Sequence, residues 1–133
     1  MVGHLKLEIV TPGGKIFSSD VSELQFPTAY RGYYGILPDH TPVLTPLGDG
    51  LISCLIDGKR TVLTVFGGFA EVGPTYVKIL ARESETAETL NLGAISERLN
   101  DAENQLRDAK TPEKQHEIQA TIAACKIKLS ALE

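Results

Sequence analysis

Asp39 and His40, adjacent in the stretch YYGILPDHTPVLTPLGDG (residues 33–50), are the side chains of this 133-residue sequence best suited to acid–base chemistry. A carboxylate can orient an imidazole, and the imidazole can then move a proton. The spacing opposes that reading. Adjacent residues on an extended segment point to opposite sides, so neither can readily orient the other. Pro38 and Pro42 bracket the pair, and Pro and Asp are turn formers. The stretch reads as a structural or interface turn. Ser18-Ser19-Asp20 lacks the strand–turn–helix setting of a nucleophile elbow and also reads as a turn. FGGFAEVG (66–73) has a glycine pair but no GxGxxG and no helix start behind it. Gly67-Gly68 therefore predicts a bulge or a close backbone approach within a sheet, not a phosphate cradle. His4 and His116 fall on a strand start and a polar helix face, and Cys54 and Cys125 lie outside any CxxC. No metal set results, and the thiols read as reduced and packed. No catalytic constellation is left, so the chain is expected not to be an enzyme.

The elements that carry these residues fall into two halves with different periods. From residue 4 to about 81 the apolar residues alternate. HLKLEIVTP places Leu5, Leu7 and Ile9 on one face, and VSELQFP places Leu24 and Phe26 on one face and ends at Pro27. LISCLI and TVLTVF flank Asp57-Gly58, with Lys59 and Arg60 also at the corner, a strong hairpin signal. YVKILA follows the turn at Gly73-Pro74. Short strands with frequent turns predict an antiparallel sandwich or flattened barrel.

After Ala81 the polar, acidic run RESETAET reads as a linker or a frayed edge. Ile95, Leu99, Ala102, Leu106 and Ala109 then recur at helical spacing, and Ile118, Ile122, Cys125, Leu129 and Leu132 repeat the pattern. Thr111, Pro112 and Glu113 between them have the types of an N-cap, a first helical position and a first turn. The short connection makes the helices an antiparallel hairpin. Expected domains are a β-sandwich over 1–84, a linker over 85–91 and a helical hairpin over 92–133, an α+β chain. The hairpin's seams are thin, so it is expected to be marginal alone and able to exchange between two docking sites. Its charges read mostly as a solvated face, with Glu103 and Arg107 a favourable i,i+4 pair.

Net charge is −4 with 6% aromatic residues and no Trp, so nucleic acid is not an expected partner. The N-terminus lacks the basic start and apolar core of a signal peptide, and no apolar run reaches the roughly 18 residues of a membrane span. A soluble, cytoplasmic chain that works at a membrane only through a partner is expected.

The order LEIVTPGGKIFSSDV, YYGILPDHTPVLTPLGDG, GGFAEV and YVKILA, followed by a helical hairpin, resembles the epsilon subunit of bacterial F-type ATP synthase over essentially the whole chain. Gly35-Ile36-Leu37-Pro38, His40, Pro42 and Thr45 are the most specific element, and Gly67 to Val72 the second. Asp39 departs from the glycine common there. The resemblance implies a rotor subunit of a proton- or sodium-driven synthase, peripheral to the membrane on its cytoplasmic side. The sandwich would bind the gamma subunit and the c-subunit ring through Arg31, Tyr33, Pro38 and His40. The hairpin would fold down or extend to the alpha and beta catalytic subunits and block ATP hydrolysis, through the polar face of Arg98, Arg107, Lys114, Lys126 and Lys128. Some relatives bind ATP at the start of the first helix. Here LNLGAI has Asn91 for the Asp of that pattern, and Ala94 and Ile95 for its Arg and Ala, so weak or absent ATP binding is expected and no cofactor. Two other readings are a stand-alone β-barrel holding a small ligand under a helical lid, and a hydrolase using Asp39 and His40.

Overall fold

The computed structural model describes residues 4–133; residues 1–3 of the expected sheet domain lie outside it. Its strands are β1 (Leu5–Thr11), β2 (Gly14–Val21), β3 (Glu23–Thr28), β4 (Gly32–Ile36), β5 (Val43–Pro46), β6 (Gly50–Ile56), β7 (Lys59–Val72) and β8 (Tyr76–Thr86). A 3-10 turn at Ala87–Thr89 precedes α1 (Leu92–Asp108) and α2 (Pro112–Ala131). Contacts divide the chain into two units, one ending at Thr86 and the other Ala87–Glu133.

The period-two pattern becomes a sandwich because two strands are long enough to serve both of its layers. β7 pairs with β6 from Lys59 to Val65 and with β5 from Phe69 to Val72. β8 pairs with β1 through Tyr76–Leu80, in parallel, and with β7 along its length. One layer thus runs β2-β1-β8-β7-β5 and the other β4-β3-β6-β7-β8. The crossover from β6 to β5 falls at Gly67 and Gly68, both at positive φ (65° and 107°). A Cβ on Gly68 would lie 1.9 Å from the Leu80 carbonyl oxygen, so only glycine allows the strands to come this close. The expected close approach is present, and the β7–β8 register runs through it unshifted.

The inward residues of both layers meet in one cluster that includes Leu5, Leu7, Ile9, Phe26, Ile52, Leu63 and Ile79, each fully buried. Cys54 is part of it, its thiol pushed up to about 11 by burial, with the positive charge of Arg60 pulling the other way. The interior is packed with side chains, which overturns the reading as a hollow ligand-binding barrel.

Four local expectations are corrected. Ser18, Ser19 and Asp20 are not a turn but strand residues of β2, paired with Glu8, Leu7 and Lys6. Asp57 and Gly58, at φ of 50° and 78°, make a two-residue turn of the type that matches strand twist. Lys59 and Arg60 are therefore strand residues, paired with Ile56 and Leu55. Pro27 lies within β3, and pairing with β6 stops earlier, at Gln25–Ser53, as suits a residue without an N–H to donate. The polar run after Ala81 continues β8 to Thr86, so Glu85 and Thr86 are not linker. Ser84 is buried there and donates its hydroxyl to the Thr64 carbonyl (2.6 Å), while the Thr64 hydroxyl accepts from the Glu85 N–H (3.0 Å). Hydroxyls that satisfy the backbone of the neighbouring strand make a polar sequence hold a strand.

In the second unit every expected seam residue is buried or half-buried, with Ile95, Ala102, Ile118 and Cys125 the most buried. Thr111 caps α2 by accepting from the Lys114 N–H (3.2 Å), with Pro112 in the first turn. The Glu103–Arg107 ion pair is not formed among the described residues, which fits the small gain of exposed pairs. Gly68→Ala should destabilise the sandwich by about 3 kcal/mol or more, through the clash and the strained φ. Urea unfolding of the full chain measures this, and a loss under about 1 kcal/mol would contradict the close approach.

Candidate partner interface

The loop between β4 and β5 holds Asp39 in the left-handed region (φ 66°), with its N–H bonded to the Pro74 carbonyl at 2.8 Å. Glycine adopts that conformation freely and Asp tolerates it, which accounts for the departure at this position. His40 Nδ1 lies 2.6 Å from the Thr41 carbonyl and Nε2 3.3 Å from the Tyr34 hydroxyl. A carbonyl can only accept, so Nδ1 carries the proton and Nε2 accepts from Tyr34. The rings also meet edge to face, with centroids 5.5 Å apart. His40 therefore orients Tyr34 and does not meet Asp39, so the pair is structural.

Tyr34 in turn packs on the core and walls a groove of about 370 Å³ lined also by Tyr30, Arg31, Leu44 and Pro46. The groove lies between β4 and β5, each at the edge of its layer. Tyr30 is almost fully exposed at its rim. Thr28 fixes the β3–β4 tip: its hydroxyl donates to the Gly32 carbonyl (2.6 Å) and accepts from the Arg31 N–H (3.0 Å).

The four residues expected at this interface are only partly brought together. Arg31 lines the groove, and His40 supports its wall. Pro38 is half-buried beyond the other end of β4, outside the groove lining. Tyr33 follows the strand alternation to the face opposite Tyr34, where its hydroxyl accepts from the Leu51 N–H at 3.1 Å.

A second feature was missed in the sequence. On the outer face of the first layer, Pro46, Phe69, Leu80 and Val10 are successive cross-strand partners. Phe69 and Leu80 are about half exposed, at 54% and 48%. The neighbouring row is Leu44, Glu71, Lys78 and Glu8, with Leu44 71% exposed and Glu8 paired to Lys15 (3.6 Å). Leu44 and Pro46 also line the groove, so one apolar surface runs from Leu80 to Tyr30. The signal was available: Phe69 and Leu80 are out of phase with the buried Ala70, Val72, Val77 and Ile79.

The five hairpin cations do not form one face. Arg98 and Lys114 line one groove between α1 and α2, together with Asp101 and Glu117. Arg107 and Lys126 line a separate groove with Glu103. Lys128 is half-buried and lines neither. Asn91, expected from its place in the degenerate nucleotide pattern to be a lost ligand, has a structural role: its side chain caps α1 by accepting from the Ala94 N–H at 2.9 Å. Among the described residues there is no cluster of His, Cys, Asp and Glu able to hold a metal, and no helix long and apolar enough to cross a membrane. Asn91→Ala should lower hairpin stability by about 1 kcal/mol, and Asn91→Asp, which keeps the cap, should restore it. Thermal unfolding followed by circular dichroism reads both.

Comparisons with known proteins agree with this geometry. Residues 4–87 match the family described as ATP synthase, Delta/Epsilon chain, beta-sandwich domain. An ATP synthase epsilon chain of Syntrophotalea carbinolica is 33% identical over 97% of this chain and 94% of its own length. That of Bacillus subtilis is 41% identical over 65% of each chain. In fold, the chain is similar to a chain of the Euglena gracilis mitochondrial ATP synthase, with a TM-score of 0.84 at 19% identity over 98% of this chain and 82% of that one. A chain of the Tetrahymena thermophila mitochondrial ATP synthase gives 0.60 at 13% identity, over 97% and 96%. The chain belongs to the family of ATP synthase epsilon chains, non-catalytic subunits of that complex.

Proposed function

We propose that this chain is the central-stalk subunit that joins the gamma subunit to the c-subunit ring of a proton-translocating F-type ATP synthase. It is held at the cytoplasmic face of the membrane by those partners, without inserting itself. The observation that carries this reading is the continuous exposed surface from Leu80 through Phe69, Pro46 and Leu44 to Tyr30 and Arg31. Covering its three half-exposed or more exposed side chains, Leu44, Phe69 and Leu80, contributes on the order of 1 kcal/mol each or more. A flat sheet face of this kind suits a shaft with which the sandwich turns as one body, so it is assigned to gamma. The groove and the Tyr30–Arg31 tip are assigned to the c ring, with His40 acting through Tyr34. The relatives named above as ATP synthase epsilon chains, and the solved central stalk and c-ring of the Tetrahymena enzyme, support the assignment.

The hairpin is assigned the regulation of ATP hydrolysis. Its seam is narrow, with Ala102 and Cys125 among its most buried residues, so a small difference in partner contacts suffices to move it between two positions. Arg98 with Lys114 and Arg107 with Lys126 give it cations on two sides for the alpha and beta subunits. ATP is not a ligand on this reading, since Asn91 is engaged as a cap and Ala94 and Ile95 offer no charge. Calorimetry with ATP should give no binding in the micromolar range.

The test is to titrate three chains into a catalytic core stripped of this subunit, recording ATP hydrolysis and retention of the added chain. The full chain should bind and slow hydrolysis. A chain ending at Ala87 should bind without slowing it. Phe69→Asp/Leu80→Asp should bind at least about tenfold more weakly. Equal slowing by the first two removes the hairpin's regulatory role, and unchanged binding by the third removes the sheet face.

A further inference from the structure

We infer that Tyr33 is a positioning residue, a latch between β4 and β6 that holds the β3–β4 hairpin for its partner, and that its hydroxyl is not itself a partner contact. The inference rests on the reading of the Tyr30–Arg31 tip as a binding element, although the latch itself is a property of the isolated chain.

The second layer has a gap in its hydrogen-bond ladder beside β3. β3 lies between β4 and β6, and its pairing with β6 ends at Gln25–Ser53. Pro27, two residues on, has no N–H to extend that ladder, and its carbonyl is bonded to the Gly48 N–H at 3.1 Å. Past Gln25 β3 therefore leaves β6 and turns to the segment after β5, where Thr28 bridges to Leu47, so the Leu51 N–H has no acceptor on β3. Tyr33 is the partner of Pro27 on β4, and its side chain reaches across β3 to accept the Leu51 N–H of β6 at 3.1 Å. A side-chain hydroxyl thus gives the Leu51 N–H the acceptor that β3 does not, and ties β4 directly to β6.

A second observation points the same way. Gly50, next to Leu51, is buried, and a Cβ on it would lie 2.5 Å from the Tyr33 hydroxyl and 3.1 Å from Pro27 Cγ. The absence of a side chain at position 50 is what admits the phenol. The nearest atom is the far end of the Tyr33 side chain, so a methyl group there displaces the hydroxyl first, while the Pro27 ring has to give by only a few tenths of an ångström. Gly50→Ala therefore breaks the latch while Tyr33 stays in place, and Tyr33→Phe breaks it while the ring stays in place.

The latch matters because of what the hairpin carries. Tyr30 and Arg31 sit at its tip, on the rim of the groove, and the tip is tied across to β5 by the Ala29 N–H to the Pro46 carbonyl (3.0 Å). With the Leu51 bond lost, β4 loses its direct tie to β6 and is held at this end through β3, through the bonds of Thr28 and through the Tyr34–His40 contact. The tip then samples more orientations, and binding must select among them.

The experiment uses the full chain and follows amide hydrogen exchange at Leu51, thermal unfolding, and binding to the gamma–c-ring complex stripped of this subunit. Tyr33→Phe and Gly50→Ala should each speed exchange at Leu51 by about three- to tenfold, as for loss of one ordinary hydrogen bond. Each should weaken binding by at least about threefold, and the double variant should be no weaker than the singles. Exchange at Leu51 unchanged in Tyr33→Phe overturns the latch. Faster exchange with unchanged binding overturns the positioning role, because the bond is then structural only. A wild-type chain that fails to bind overturns the functional reading itself, while Leu51 exchange still decides whether the latch exists.

Discussion

The structure depends on how closely β7 and β8 approach one another at Gly68. Among the described residues these two strands alone belong to both layers, so their pairing joins the layers as well as forming them. At the crossover the Leu80 carbonyl occupies the space where a side chain of residue 68 would lie. From this contact the rest follows in order: the turn of β7 from one neighbour to the next, a single core fed from both layers, and an outer face on which Phe69 and Leu80 stand side by side.

That last consequence ties packing to function. The strand alternation that buries Ala70, Val72, Val77 and Ile79 puts Phe69 and Leu80 outside by the same geometry. On the proposed reading a partner covers these two apolar side chains, while Glu71 and Lys78 in the adjoining row are charged. The mixed surface reads as an interface in which the apolar row contributes affinity and the charged row fixes orientation. The groove between β4 and β5 extends this surface to the Tyr30–Arg31 tip, and His40 contributes to it only through Tyr34.

Much of this was legible in the residues themselves. Leu5, Leu7 and Ile9 announced their strand by alternation, Asp57-Gly58 its turn, and Thr111-Pro112 the start of α2 with its cap. Those signals are local, and local geometry honours them. The errors arose where long-range partners decide. Residues 82–86 are polar and looked like a linker, but Thr64 supplies a carbonyl and a hydroxyl from the neighbouring strand. Tyr33 carries a bond that its local sequence does not announce, since its hydroxyl accepts from a backbone N–H eighteen residues away. The five hairpin cations were expected on one face, but the antiparallel pairing of α1 and α2 distributes four of them over two grooves. Asn91 was read by what it lacked as a ligand, whereas its position one residue before α1 gave it a cap to make.

On the proposed reading the outer face carrying Phe69 and Leu80 is covered in the assembled synthase. The most direct measurement is the rate at which a maleimide labels a cysteine placed at position 80, in a chain whose Cys54 and Cys125 have been replaced by alanine. Labelling should be fast in the isolated chain and at least about tenfold slower once the chain is assembled with gamma and the c ring. Equal rates in the two states would contradict the account.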